Sequence, residues 1–203
     1  RFSLCQDVPG DTCAYPEEFI KARIHNIRRP KPDDFQIKQA MEKIKKSKKP
    51  IIISGGGVFY SDAMDELGSF AIKHNIPVTQ TVMGYSTMKR DHSHFLGPIG
   101  GLGGRAANNL AKETDLAICV GTKLADFTTG SWANFENPEF KLVSINIARH
   151  DANKHLAEAV IGDAKVCLSE LSNSLGNWKS PDSWHKKSQD ELKSWNEYVD
   201  KES

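Results

Sequence analysis

Hydrophobic positions in the middle of the chain follow two alternating patterns. Short unbroken runs, several of them rich in β-branched residues, alternate with longer stretches in which apolar residues lie three and four positions apart. An unbroken run is typical of a strand covered on both faces, and spacing of three and four is typical of a helix that packs one face on a core. The pattern predicts strands at residues 50–53, 76–79, 116–120, 142–147 and 160–161.

Helix boundaries can be predicted from capping residues. Asp33 or Asp34 is placed to cap the first helix, Ser61 a second, and Asp163 a last helix that stops at Gly176. Strands that alternate with helices indicate a parallel sheet with right-handed crossovers. The predicted fold is therefore α/β: a three-layer, Rossmann-like parallel sheet of five to six strands with helices on both faces.

The chain divides into three predicted parts. Residues 1–32 open on Arg1 rather than Met and are rich in proline, so we expect the end of a preceding domain and a linker. Residues 33–177 form the central α/β domain. Residues 178–203 are polar and form either a C-terminal helix or a linker toward a next domain. A helix is predicted by apolar residues at helical spacing, namely Trp184, Leu192, Trp195 and Val199.

Charge and cysteine content exclude several classes of partner. Lys and Arg total 27 against 26 Asp and Glu, so no global field draws the chain to nucleic acid or to an anionic membrane. No stretch approaches the roughly 20 apolar residues that span a bilayer. Cys5, Cys13, Cys119 and Cys167 form no CxxC pair. This composition favours small-molecule partners and a reducing cytoplasm.

Glycines at the predicted strand ends are the main candidate for ligand binding. In an open parallel sheet, ligands lie beyond the carboxyl ends of the strands, where glycine lets backbone N–H groups approach a phosphate. The candidate residues for a nucleotide or anion are Gly55, Gly56, Gly57, Gly121, Thr122 and Asn146, with Gly103 and Gly104 in a similar position. These glycines lack GxGxxG spacing, and tight turns require glycine for backbone reasons alone, so we favour a structural role.

No catalytic or metal site is predicted from motifs. His92 and His94 form an H-x-H pair, but no third zinc ligand stands at a recognisable spacing, so we interpret them as a loop pair. His25, His150 and His155 have basic or polar neighbours, which is ordinary for surface histidines. The chain lacks a Gly-x-Ser-x-Gly elbow for a serine nucleophile.

The order of these segments resembles the middle domain of the thiamine-diphosphate enzyme superfamily, which includes acetohydroxyacid synthase and pyruvate oxidase. The resemblance covers about residues 33–176, and residues 4–8 look like the end of the preceding pyrimidine-binding domain. The segments that carry it lie at residues 50–58, 76–78, 91–100, 115–130, 144–154 and 160–164.

Within the superfamily, residues 24–29, 54–60 and 126–131 most resemble the hydrolases of inositol breakdown. The resemblance implies a full-length parent enzyme that uses thiamine diphosphate and Mg²⁺ to hydrolyse a C–C bond, opening a cyclic 1,2-dione to 5-deoxyglucuronate. It also implies a homo-oligomer in which pyrimidine-binding and diphosphate-binding domains flank this one.

The family's cofactor motifs are missing from this chain. The diphosphate and magnesium motif of the family is Gly-Asp-Gly followed by paired asparagines, whereas Gly162 and Asp163 precede Ala164 with no later pair. The family's activating glutamate belongs to the preceding domain, and Asn146 stands where the family often has Asp. We therefore predict no catalytic residue and no metal ligand here, and a fragment that is inactive alone.

Three alternatives to this interpretation remain open. The chain could be the central domain of another thiamine-diphosphate enzyme of acetolactate synthase type. It could be a free-standing NAD-binding or FAD-binding domain of sirtuin-like fold, although that family needs a catalytic His and usually CxxC zinc ligands. It could also be an interaction scaffold.

Overall fold

The computed structural model describes residues 3–202, so Arg1, Phe2 and Ser203, and the expectation that the chain opens in mid-protein at Arg1, lie outside it. Six strands form one sheet in the order β3-β2-β1-β4-β5-β6, and all neighbouring pairs are parallel. The strands are β1 Pro50–Ser54, β2 Val78–Gln80, β3 Phe95–Pro98, β4 Leu116–Val120, β5 Lys141–Asn146 and β6 Glu158–Ile161. The predicted fold class is confirmed.

Helices connect the strands and cover both faces of the sheet. The α-helices are α1 Glu17–Ile20, α2 Asp34–Lys46, α3 Gly56–Tyr60, α4 Met64–His74, α5 Arg105–Glu113, α6 Asp126–Thr129, α7 Arg149–Ala152, α8 Ala164–Leu175 and α9 Asp182–Glu202. Short 3₁₀ turns occur at Val8–Gly10, Val82–Gly84 and Lys154–Leu156. No helix within residues 3–202 is both long enough and apolar enough to cross a membrane.

Two apolar clusters form the core, one on each face of the sheet. The first lies under α2, α4 and α8 and includes Ile44, Phe70 and Leu171. The second lies under α5 and α9 and includes Leu110 and Trp184. Each fully buried large apolar side chain contributes about 1.5–3 kcal/mol, so both layers of helices stabilise the fold.

The central strand β1 shows why an unbroken apolar run predicted a buried strand. Ile52 points into the first cluster, whereas Ile51 and Ile53 point into the second. Successive side chains of a strand project to opposite faces, so a strand covered on both sides needs apolar residues at every position.

The predicted caps hold at Asp33 and Asp163, whose side chains accept backbone N–H groups, and α8 ends at Gly176. The prediction that Ser61 caps a helix is wrong. Ser61 instead closes α3, and its hydroxyl accepts the N–H of Ala164 at 3.3 Å. Asp62 has a φ of 52°, in the left-handed region, which separates Ser61 from the start of α4.

Strand β3 is not among the predicted strands, and it begins directly after the His92 and His94 pair that was expected to lie in a loop. It is a short edge strand that contains Gly97 at a φ of 88° and ends at Pro98, and its register against β2 shifts. Glycine and proline both weaken strand signals, and proline is tolerated at an edge because no further strand needs its N–H.

The first part of the described chain is exposed and is attached through a few residues. Residues 3–28 are exposed throughout, with only short helical turns. Arg29 then binds the carbonyl of Ser61 and the carboxylate of Asp163, the latter at 3.1 Å. The carbonyl of Pro30 accepts the N–H of Asp163 at 2.9 Å, so residues 29–30 attach this segment to the domain.

Candidate functional site

The carboxyl edge of the sheet brings the predicted site residues together. Gly55, Gly56 and Gly57 follow β1, Gly121 and Thr122 follow the adjacent β4, and Asn146 ends β5, next to β4. Gly103 and Gly104 lie apart from them, at the start of α5 beyond the edge strand β3.

The glycines allow two backbone turns to touch. Gly121 has a φ of 63°, and a Cβ added to it would lie 2.5 Å from the Cα of Gly57. A Cβ on Gly55 would lie 2.4 Å from the carbonyl oxygen of Gly121. Contacts this short do not occur for real side chains, so the close approach of the turns after β1 and β4 requires glycine.

Backbone amides of the glycine turn are already hydrogen-bonded within the chain. The N–H of Gly55 donates to the carbonyl of Val120 at 2.8 Å, and the N–H of Gly57 donates to that of Gly121 at 3.0 Å. The helix that follows, α3, has only five residues. The turn therefore lacks the array of unpaired donors and the long helix dipole with which phosphate-binding turns hold an anion.

Asn146 bridges two loops at this edge. Its Nδ2 donates to the carbonyl of Thr122 at 3.2 Å, and its Oδ1 accepts the N–H of Ala148 at 3.0 Å. An aspartate could accept from Ala148 but could not donate to Thr122. The amide at this position therefore makes a contact that a carboxylate could not make.

A buried hydroxyl pair behind the glycine turn carried no sequence signal. The Ser54 hydroxyl donates to that of Thr87 at 2.7 Å, and Ser54 Oγ also lies 3.1 Å from the carbonyl oxygen of Thr79. Thr87 also donates to the carbonyl of Gly84 at 2.7 Å. These bonds hold the turn after β2 against the end of β1 and leave the hydroxyls paired inside the protein.

The surroundings of Asp163 do not suit a ligand of Mg²⁺. Its Oδ1 accepts the N–H groups of Lys165 and Val166 at 3.1 and 3.4 Å, and its Oδ2 pairs with Arg29 at 3.1 Å. Across residues 3–202, no group of three or more His, Cys, Asp or Glu side chains could hold a metal ion. Asp163 is therefore committed to a helix cap and to an ion pair with Arg29.

The H-x-H pair lies in a histidine cluster beside β3. The ring of His94 is stacked on that of His185 from α9, with centroids 4.1 Å apart, and its Nε2 lies 3.2 Å from Oδ1 of Asn75. Burial, followed by repulsion from His185 and His92, lowers the pKa of His94 to about 4. The predicted loop pair therefore includes one buried, neutral ring that contacts α9.

Comparison with known proteins identifies the family. Residues 37–171 match the family described as thiamine pyrophosphate enzyme, central domain. A solved structure from Mycobacterium smegmatis, described as a putative thiamin diphosphate-dependent enzyme, superposes with a TM-score of 0.61 at 22% identity. The superposition covers 77% of this chain and 31% of the Mycobacterium smegmatis chain. At this identity, the likeness supports the fold alone.

Curated relatives share more of the sequence. A protein of Clostridium perfringens is 46% identical over 173 residues, which is 85% of this chain and 27% of the relative. A protein of Clostridium botulinum is 41% identical over 199 residues, 98% of this chain and 31% of the relative. Both are named 3D-(3,5/4)-trihydroxycyclohexane-1,2-dione hydrolase, and the chain spans less than a third of their length. The fold, the family match and these relatives together establish that the chain belongs to the central-domain family of thiamine pyrophosphate enzymes.

Proposed function

We propose that this chain is the central domain of a 3D-(3,5/4)-trihydroxycyclohexane-1,2-dione hydrolase of inositol catabolism. The observation that carries the proposal is 41–46% identity to proteins of that name over most of the chain. The parent enzyme would use thiamine diphosphate with Mg²⁺ and hydrolyse a C–C bond of the ring, giving 5-deoxyglucuronate. Four free thiols suit a cytoplasmic, reducing location for it.

The proposed role of this domain is structural, with no catalytic residue. The Asp163 carboxylate accepts bonds from a helix cap and pairs with Arg29, so it is not free to bind a metal ion. Two amides of the glycine turn are bonded to neighbouring carbonyls. The domain alone would therefore be inactive. Binding of a nucleotide or anion at the carboxyl edge would be a minor or vestigial function.

Residues 33–177 would space and brace the flanking pyrimidine-binding and diphosphate-binding domains within a homo-oligomer. The exposed residues 3–28 would belong to the connection with the preceding domain. Arg29 supports this division, because its bonds to Ser61 and Asp163 fix the point at which the connection reaches the domain.

A domain exchange tests the proposal. The matching segment of the Clostridium perfringens relative is replaced by this chain, and hydrolysis of 3D-(3,5/4)-trihydroxycyclohexane-1,2-dione is measured with thiamine diphosphate and Mg²⁺. We expect the chimera to keep activity within about tenfold of the parent, since 46% identity should preserve the contacts at domain faces that fix the geometry of the active site.

A second chimera provides the control. It carries the matching domain of the Mycobacterium smegmatis neighbour, which has the same fold but only 22% identity to this chain. We expect that chimera to assemble poorly and to lose activity. If this chain also fails in a chimera that folds and assembles, the assignment to this hydrolase is wrong.

A further inference from the structure

A cavity lies at the amino ends of β5 and β6, on the opposite edge of the sheet from the glycine turns. It has a volume of about 400 Å³, within the range of small-molecule sites. We call it the amino-edge pocket. Its apolar walls are Trp132, Phe140, Leu142 and Leu156.

Two aromatic residues, Trp132 and Phe140, form part of the pocket lining beside the buried Leu142. Leu142 is buried in the second core cluster, and Phe140 stacks on Phe135 with ring centroids 4.5 Å apart. The ring of Trp132 lies 4.5 Å from that of His155. Flat aromatic surfaces on a rigid floor suit a planar ring, because such rings prefer offset or edge-on stacking.

Two strained backbone segments hold this arrangement. Ser131 and Trp132 have φ angles of 53° and 71°, and His155 and Leu156 have φ angles of 60° and 56°. Bulky residues rarely adopt the left-handed region, and such strain concentrates at ligand clamps. The two segments meet at the ring contact between Trp132 and His155. The strained backbone also leaves Leu156 99% exposed at the rim, where it contributes nothing to the core.

The rim of the pocket is positively charged. Lys43 and Lys141 both line it, but Lys43 is paired with Glu158 at 3.1 Å. Lys141 makes no ion pair with any residue in the described part of the chain. The remaining positive charge beside an aromatic cavity favours a ligand with one negative group.

We propose that the amino-edge pocket binds a small aromatic anion, a planar ring system carrying one sulfonate, carboxylate or phosphate group. The ring packs between Trp132 and Leu156, and the anionic group lies at Lys141. This site is independent of the proposed function, because it uses none of the carboxyl-edge residues.

Titration with two matched probes tests this assignment. The probes are 1-anilinonaphthalene-8-sulfonate and uncharged N-phenyl-1-naphthylamine, which share a ring skeleton and differ in the sulfonate. Fluorescence measures affinity, and amide and indole NMR shifts locate the probe on the 203-residue chain. We expect saturable binding with shifts at Trp132, His155 and Leu156, and tighter binding of the sulfonate.

Substitutions separate the walls from the charge. Leu156→Asn keeps the charge unchanged, and Asn adopts the left-handed backbone readily, so this substitution should weaken both probes about tenfold, which corresponds to 1.4 kcal/mol. Lys141→Gln should weaken the sulfonate about threefold and leave the uncharged probe unchanged. Leu102→Asn is the matched control, since Leu102 is an exposed leucine near β3, at the far side of the sheet from β6.

Three results would overturn the proposal. The first is an equal change in probe affinity in Leu156→Asn and Leu102→Asn, and the second is a set of NMR shifts confined to the carboxyl edge. The third is concentration-dependent shifts at Leu156 in the absence of probe, which would identify the pocket as a contact between copies of the chain.

Discussion

The indole N–H of Trp184 donates a 2.8 Å hydrogen bond to the backbone carbonyl of Pro50. This bond joins the C-terminal helix α9 to the first residue of the central strand β1. The Trp184 side chain lies in the second core cluster and is only 3% exposed. A residue from the polar tail therefore completes the core on one face of the sheet.

Substitution of Trp184 should separate packing from hydrogen bonding. We expect Trp184→Phe to lower the free energy of unfolding by about 1–3 kcal/mol, because a buried carbonyl loses its donor and the core loses volume. Trp184→Ala should cost about 3–5 kcal/mol. Chemical denaturation measures both. Asn196→Ala, at an exposed position of α9, should stay within about 0.5 kcal/mol of the wild type.

Truncation after Gly176 tests the proposed boundary of the central domain at residue 177. We expect the shortened chain to retain its sheet but to melt at lower temperature and expose apolar surface, because α5 still covers part of the second cluster. Differential scanning calorimetry and sedimentation of both chains are compared. Loss of cooperative unfolding would place α9 within the domain and move the boundary beyond it.

Stability should fall as the solution becomes acidic. The pKa of His94 is lowered to about 4 by burial, with His185 and His92 adding repulsion, whereas an unfolded histidine titrates near 6.5. Between those values the unfolded chain binds the proton that the folded chain excludes. This contribution to stability is complete above about pH 6.5 and declines as pH falls toward 4.

Denaturation midpoints at about pH 7 and pH 5 measure this effect. His94→Gln can still bond to Asn75 but carries no titrating ring, so it should reduce the loss of stability on acidification. His150→Gln, at an exposed site, is the control and should keep the wild-type slope. Equal slopes in all three proteins would show that His94 does not govern the acid response.

The glycine turn should be sensitive to a single methyl group. A Cβ on Gly57 would lie 2.5 Å from the Cα of Gly121, so the added methyl group would clash with backbone and not with a flexible side chain. We expect Gly57→Ala to destabilise the fold by about 1–3 kcal/mol. A Cβ on Gly10 would have no neighbouring atom within 4 Å, so Gly10→Ala is the control.

Titration of the wild type with NAD, FAD and ADP tests separately whether the glycine turn binds a ligand. Tight binding of any of these nucleotides would contradict a purely structural role for the turn.

The chain alone should neither bind thiamine diphosphate with Mg²⁺ nor cleave the cyclic dione. The chain lacks the family's magnesium motif, and the Asp163 carboxylate is committed to Arg29 and to the first turn of α8. Isothermal titration calorimetry should therefore show no magnesium-dependent heat. Tight magnesium-dependent binding, unchanged in Asp163→Asn, would reveal a cofactor site elsewhere in the chain.

Sequence patterns were sufficient for the elements whose signals are local. The unbroken apolar run of β1, the cap at Asp33 and the stop at Gly176 each depend on neighbouring residues, so they could be predicted from the chain alone. Ser61 instead closes α3, and its hydroxyl accepts the N–H of Ala164, which is 103 residues away. A local rule cannot anticipate such a partner.

The sequence by itself determined the alternation of strands and helices, the family, and the absence of the paired cofactor motifs. Three features depend on the tertiary structure. The backbones at Gly57 and Gly121 touch, which requires glycine at both positions. Trp184 completes the core, and Trp132 contacts His155 at the amino-edge pocket. The reason is physical. Periodicity reflects the geometry of one element, whereas close approach and burial depend on which distant elements the fold places side by side.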